Sequence, residues 1–361
     1  MLPLVSVFER LGGEFEEVVF AHDPPTGLRA IIAIHSTMLG PALGGVRFFP
    51  FASEDAALTD VLRLSRAMTY KASAAGLDLG GGKAVIVGDP RTTKTDELLR
   101  AYAGFVDGLG GRYITAEDVG TSLADMDVIR DRTRHVGGSS PARGGSGDPS
   151  EMTAYGVFLA IRAAAREAWG DPSLEGRRVA VQGVGKVGSG LVGHLTGAGA
   201  TVVVADVDPD AVTRARSAGA SASVDPGEIA GAECDILAPC AMGAVLDERT
   251  IPAIRARIIC GAANNQLATA ADAETLAGAG ILYLPDYVAN AGGIVNIFEE
   301  FHPDGYDAGR AKRSVERIEQ NAQRVFDAAR ERGVTPAAAA DTLAEERLRS
   351  ARHAGVAAPS R

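Results

Sequence analysis

Arg177-Arg178-Val179-Ala180-Val181-Gln182-Gly183-Val184-Gly185-Lys186-Val187-Gly188 is a short branched run that enters a G-x-G-x-x-G turn and then a helical pattern. In isolation that glycine spacing is a weak signal. Here a strand pattern precedes it, a helix pattern follows, and the next apolar run ends in Asp206, twenty-three residues after Gly183. That is the arrangement of a dinucleotide site. It supplies a tight turn, close backbone approach to the pyrophosphate along Gly183, Val184, Gly185, Lys186, Val187 and Gly188, and an acid for the adenosine ribose. A carboxylate at Asp206 repels a 2′-phosphate, so the spacing predicts NAD over NADP. The competing reading is a glycine turn that only packs a helix on a strand.

Working outward, strands read at 177–182, 201–206, 234–238, 257–261 and 281–284 alternate with helices, which predicts a parallel sheet covered on both faces. Three later strands end in small or polar groups: Pro239-Cys240-Ala241, Ala263-Asn264-Asn265 and Asn290-Ala291-Gly292-Gly293. Ligands bind beyond the carboxyl ends of such strands. The asparagines serve either as ligand contacts or as helix caps. A long helix near 310–330 presents Val315, Ile318, Ala322, Val325 and Phe326 on one side, and an alanine-rich helix starts at Thr335-Pro336. The last ten residues read as disordered.

A chain of 361 residues is too long for one small core. The segment 137–150, rich in glycine, proline and serine, marks a crossover, so we divide the chain into 1–136 and a nucleotide-binding domain over 137–332. In the first part, 15–20 and 28–34 read as strands, Gly40 to Arg47 reads as irregular, and 53–68 reads as a helix capped by Ser53. A helix over about 95–109 leads into the strand 113–116, which stops at the acidic pair Glu117-Asp118.

The net charge of -10 and the lack of a long basic run argue against nucleic acid or a membrane surface as the main partner. The start has no basic residue before its apolar run and so does not read as a signal peptide. The three cysteines and six histidines show no metal-ligand spacing, so no metal site is expected, and reduced thiols fit a cytoplasmic protein.

The stretch Thr69 to Lys83 sets Lys71 and Lys83 twelve positions apart, the second directly behind Gly80-Gly81-Gly82. Three successive glycines make most sense where a ligand or another backbone comes very close. A lysine delivered there, partly desolvated and beside a second ammonium, can act as a base near neutrality. The plain alternative is a flexible loop with two solvated lysines. Asp118 can exchange a proton with such an amine, or can belong to an ordinary surface acid pair.

These motifs, in this order, resemble the leucine, valine and phenylalanine dehydrogenases, relatives of glutamate dehydrogenase. The resemblance runs from about Gly12 to Arg349 and is most specific at 40–47, 68–76, 80–83, 113–120, 183–188, 261–267 and 285–293. It implies an α/β protein of two domains: an N-terminal α/β substrate domain, completed by the C-terminal helix 333–361, and a Rossmann-type dinucleotide-binding domain, with the active-site cleft between them. The implied reaction is oxidative deamination of an L-amino acid by NAD to a 2-oxo acid, ammonium and NADH. By the same analogy Lys71 holds the substrate carboxylate, Lys83 activates water, and Asp118 moves protons to and from the amino nitrogen. Thr153, Cys240, Ala241 and Asn290 surround the cofactor, Gly44 contacts substrate, Asn264 and Asn265 contact cofactor or substrate with the resemblance leaving open which does which, and the subunits form a homo-oligomer.

Leu43 stands where glutamate-specific relatives carry a lysine, so a second substrate carboxylate has no counter-charge and an apolar substrate follows. Ala116, Ile294 and Ile297 match pocket positions of the branched-chain enzymes, which points to leucine, valine or isoleucine. Phenylalanine or another aromatic amino acid is the alternative substrate. A catalytically silent NAD-binding regulator is the alternative of another class. Val46 and Ala72 depart from the family's usual threonine and asparagine.

Overall fold

A computed structural model describes residues 7–241 and 243–353 of the chain, so the expected disorder of the terminus falls, from residue 354 on, outside the described residues. The chain forms two units. The first comprises residues up to Asp148, Ile297–Tyr306 and the chain from Ala344; the second comprises Pro149–Asn296 and Asp307–Leu343. Residues 137–148, assigned from sequence to the nucleotide-binding half, thus pack with the first unit.

In the first unit α1 (Val7–Leu11) leads into β1 (Glu17–Asp23), β2 (Leu28–Ser36) and β3 (Ala42–Phe49). There follow α2 (Glu54–Ala74), β4 (Gly80–Val87), α3 (Asp96–Gly108), β5 (Tyr113–Glu117) and α4 (Leu123–Arg130). The sheet order is β1-β2-β4-β3-β5, with β1 and β2 antiparallel to their neighbours and β3, β4 and β5 mutually parallel. Alternation along β2 divides the core by face. Ile32 and Ile34 join Leu98, Tyr102, Val106, Met126 and Ile129, while Ile31 and Ala33 join Ala57, Leu58, Val61 and Leu62 of α2.

Two expectations change here. Gly40 to Arg47 is not irregular: from Ala42 it is β3, between β4 and β5. Its glycines admit close neighbours, since a Cβ on Gly44 would lie 1.8 Å from the Gly82 carbonyl oxygen. The helix read over 53–68 continues to Ala74, with Ser53 as its N-cap, so Lys71 sits in its last turn rather than in a loop. Helix α4 carries a capping box, Ser122 with Asp125, that the sequence reading passed over.

The second unit contains α5 (Ser150–Trp169), β6 (Arg178–Gln182), α6 (Lys186–Gly197), β7 (Thr201–Ala205), α7 (Pro209–Ser217) and β8 (Ala222–Ser223). The chain continues through β9 (Ile236–Pro239), β10 (Ile258–Ile259), α8 (Asp272–Gly278), β11 (Leu282–Tyr283), α9 (Asp286–Ala289) and α10 (Gly292–Phe298). Helix α11 (Ala308–Arg332) and the start of α12 (Pro336–His353), as far as Leu343, complete it, while α12 from Ala344 belongs to the first unit. All pairings are parallel and the order is β11-β10-β9-β6-β7-β8. Strand order therefore reverses between β6 and β9, the place where doubly wound sheets bind nucleotides. The α11 stripe read from sequence is buried, Val315, Ile318, Ala322, Val325 and Phe326 included.

From Ala344, α12 docks on the end of α2. Ser73 Oγ donates to the Ala344 carbonyl at 3.0 Å, and Arg347 donates to the Leu77 carbonyl at 2.7 Å and to Asp78 at 2.8 Å. These bonds brace the helical turn that carries Lys71.

Candidate active site

Lys83 is the fourth residue of β4 and Asp118 the first residue past β5; β3 lies between the two strands. Leu43 pairs with Gly81, Val46 with Ala84 and Gly45 with Ala116, which sets Gly45 level with Lys83 on one side and just short of Asp118 on the other. A Cβ on Gly45 would fall 2.8 Å from the Asp118 Cβ and 2.5 Å from the Glu117 carbonyl oxygen. Lacking one, Gly45 lets Asp118 come close, and Lys83 Nζ makes direct ionic contact with Asp118 Oδ2. Sequence reasoning named both charges but missed Gly45. The signal was a glycine pair inside an apolar run.

Lys83 is buried and Asp118 partly so, with side-chain exposures of 9% and 17%. Burial works against an ionised Asp118, but the charges of Lys83 and Arg47, helped by the Val119 N–H, prevail and hold its carboxyl below the usual carboxylate range. Asp118 Oδ1 accepts the Val119 N–H at 2.8 Å, and Thr121 Oγ1 accepts the Asp118 N–H at 2.9 Å. Asp118 is thus seated by its own turn and is no ordinary surface acid.

The glycines before Lys83 answer a close approach of backbone. A Cβ on Gly81 would lie 2.1 Å from the Thr69 nitrogen, and one on Gly82 would lie 2.7 Å from the Tyr113 ring. Helix α2 therefore lies directly on β4, with half-buried Lys71 two residues beyond Thr69. Tyr113 in turn donates to the Gly44 carbonyl at 2.6 Å. Leu43 and Ala116 are buried in the same sheet, and Ile297 packs so closely on Gly137 that a Cβ there would meet its Cγ2 at 2.4 Å. Ile294 is buried as well but belongs to the second unit.

In the second unit Gly183 takes φ +89°, reserved in practice for glycine, and a Cβ on it would press on Ala241 at 2.7 Å. A Cβ on Gly188 would lie 2.0 Å from the Gly183 carbonyl oxygen, whereas one on Gly185 would meet nothing within 4 Å. The first and last glycines pack the turn; the middle one leaves it open. Helix α6 starts at Lys186 with Gly185 as N-cap and no side-chain capping bond, so its leading N–H groups suit a phosphate. Val184 is buried and its N–H donates to Asp206 Oδ2 at 2.7 Å, while Asp208 N–H donates to Oδ1 at 2.9 Å.

Around this turn, Cys240 N–H donates to the Gln182 carbonyl at 2.6 Å and burial pushes its thiol up to about 12. Asn290 Nδ2 donates to Asn264 Oδ1 at 2.9 Å and to the Ala262 carbonyl at 3.0 Å, so these two amides form a pair rather than N-caps. The Asn290 Oδ1 is buried without a hydrogen-bond partner among the described residues, an acceptor suited to a ligand N–H. Asn265 adopts φ +54° and donates its N–H to Asp286 Oδ2 at 2.6 Å. Thr153 Oγ1 donates to the Pro149 carbonyl at 2.9 Å and lies against Gly293. Val207, unnoticed in the sequence, stands 89% exposed beside Asp206, an apolar surface fit for a base. An open glycine, an uncapped helix start, a carboxylate at the β7 end and an orphaned amide oxygen together fit a dinucleotide.

Among the described residues no helix is long and apolar enough to cross a membrane. Residues 16–135 match the family model for the Glu/Leu/Phe/Val dehydrogenase dimerisation domain, and 144–212 with 207–355 match that for glutamate/leucine/phenylalanine/valine dehydrogenase. Leucine dehydrogenase of Geobacillus stearothermophilus is 50% identical over 341 residues, 94% of this chain and 92% of that one. Valine dehydrogenase of Streptomyces virginiae is 50% identical over 352 residues, 97% of this chain and 98% of that one. The crystal structure of L-tryptophan dehydrogenase from Nostoc punctiforme superposes with a TM-score of 0.83 at 44% identity, covering 96% of this chain and 100% of that one. The chain belongs to the glutamate/leucine/phenylalanine/valine dehydrogenase family and is an amino-acid dehydrogenase that uses a nicotinamide cofactor on a small-molecule substrate.

Proposed function

We propose that this enzyme catalyses NAD-dependent oxidative deamination of a branched-chain L-amino acid, leucine, valine or isoleucine, and the reverse reductive amination. Amino acid, NAD and water give the 2-oxo acid, ammonium, NADH and a proton. The observation that carries the reading is the Lys83–Asp118 pair over Gly45, in the same sheet as an apolar Leu43 and Ala116. Lys71 holds the substrate carboxylate. A nicotinamide bound at the glycine turn of the second unit would supply the acceptor for hydride from the substrate α-carbon. Lys83 takes a proton from the water that adds to the resulting imine, and Asp118 carries protons to and from the amino nitrogen.

Substrate choice rests on what lines the sheet. Leu43 and Ala116 offer no cation, so a second substrate carboxylate there would be buried unpaired, at a cost of several kcal/mol. The 50% identity to both a leucine and a valine dehydrogenase supports the branched-chain choice. NAD over NADP rests on the Asp206 carboxylate at the end of β7. The dimerisation domain named for residues 16–135 supports a homo-oligomer, and three unpaired thiols support a reducing compartment, the cytoplasm.

A second reading, the same reaction on an aromatic amino acid, is favoured by the likeness to a tryptophan dehydrogenase. The test is NADH absorbance at alkaline pH with leucine, valine, isoleucine, phenylalanine, tryptophan and glutamate in parallel. Preference for an aromatic substrate would replace the first reading with the second. No turnover on any of them would leave only a dinucleotide-binding regulator.

A further inference from the structure

Two cations approach Asp118 Oδ2, and the scheme above uses one. Lys83 Nζ reaches it from β4, and Arg47 Nε stands 3.6 Å from it on β3. The Arg47 guanidinium is anchored: Nη1 donates at 2.7 Å to Asp60 Oδ2 on α2, whose side chain is only 15% exposed. Its Nε is buried and has no hydrogen-bond partner among the described residues. At 3.6 Å it acts on the carboxylate by charge, and a small shift of Asp118 would make the bond.

We propose that Arg47 is a positioning residue of the reaction, the fixed cation that keeps the Asp118 carboxylate seated and charged while Lys83 turns to the reacting atoms. The inference rests on the amino-acid dehydrogenase reading. A lysine acting as base must give up its proton, and in that state it no longer balances the carboxylate beside it. A buried carboxylate without a counter-charge takes up a proton and becomes a poor acceptor. An arginine does not deprotonate, so its charge persists through the cycle. Removing a chain-fixed cation from this place would be felt by both members of the pair.

The groups that face Asp118 are few. Lys83 comes from β4 and Arg47 from β3, with Asp60 of α2 behind Arg47 and Arg63 on the other oxygen of Asp60 at 3.2 Å. On β5 itself the Tyr113 phenol is pushed up by burial and stays neutral. Loss of a neighbouring positive charge raises the proton affinity of the Asp118 carboxyl, and loss of a negative charge lowers it.

The experiment is the pH profile of kcat/KM for the amino acid in the full-length enzyme. Arg47→Gln moves the acid limb up by about one pH unit, Arg47→Lys by less, and Asp60→Asn, which frees Arg47 toward Asp118, moves it down. NADH binding, followed by fluorescence, stays unchanged in all three. An unmoved limb in a folded Arg47→Gln enzyme overturns the proposal. Should that variant fail to fold, Asp60→Asn decides: a downward shift supports the role, and an unmoved or raised limb removes it. A wild-type enzyme inactive on every amino acid would instead overturn the function, which the substrate panel reads separately.

Discussion

The backbone N–H of Val184, inside the glycine turn, donates to Asp206 Oδ2 at 2.7 Å, tying the turn after β6 to the end of β7. The acid that the spacing assigns to the ribose is therefore also a strut of the glycine turn, its other oxygen being held by Asp208 N–H at 2.9 Å. Charge and strut are separable. Asp206→Asn keeps an acceptor oxygen and removes the charge, so NADP use rises relative to NAD by roughly tenfold, one hydrogen-bond-sized energy of about 1.4 kcal/mol. Asp206→Ala loses the strut as well and weakens both cofactors. Initial rates with NAD and NADP test this; an unchanged ratio in Asp206→Asn removes the residue from cofactor choice.

Lys83 lies in the first unit and the dinucleotide turn in the second. Lys83→Ala consequently lowers kcat by ~10²–10⁴-fold, the usual range for a lost acid–base group. NADH binding, read by fluorescence, survives. Parallel loss of turnover and binding would mean that Lys83 has another role.

Gly45 makes a sharper test of geometry, because the change adds one methyl and removes no functional group. Its Cβ would fall 2.8 Å from the Asp118 Cβ. Gly45→Ala costs about 1–3 kcal/mol of stability through overpacking. It also moves Asp118 off Lys83, and a misplacement near 1 Å costs roughly 10²-fold in rate. Melting temperature and kcat are the readouts, and an enzyme of normal kcat would show that the contact over Gly45 is dispensable.

The thiols should be inert in the native protein. Burial pushes Cys234 up to about 11 and Cys240 to about 12, and it raises Cys260 as well. A raised thiol value leaves the protonated, unreactive form dominant at neutral pH, and reactivity grows only as pH climbs toward those values. Ellman's reagent at pH 7.5 is therefore expected to label slowly in the native enzyme and to titrate three thiols once it is denatured. Rapid native labelling of Cys234 or Cys260 would contradict their burial.

Local pattern was enough for much of this protein. The strand, glycine turn, helix and distal acid of 177–206 are contiguous, and their order alone specifies a parallel sheet with a nucleotide turn. The α11 stripe was legible for the same reason: its period of helical spacing repeats over several turns. The charged residues Lys71, Lys83 and Asp118 stood out by type. Taken alone, the sequence left each a bland alternative, a solvated loop for the lysines and a surface acid pair for Asp118.

What the tertiary structure alone decided was which groups meet. Gly40 to Arg47 reads as irregular because glycine is a poor strand former, yet between β4 and β5 its bare backbone is what lets three strands and α2 pack closely. Lys83 and Asp118 are thirty-five positions apart, and only the β3 register brings them over Gly45. Arg47 and Asp60 carried no local signal, since an ion pair between a strand and a helix depends on the packing of both. Sequence periodicity reports the face an element buries; which partner it buries against is set by long-range contacts that no local window contains.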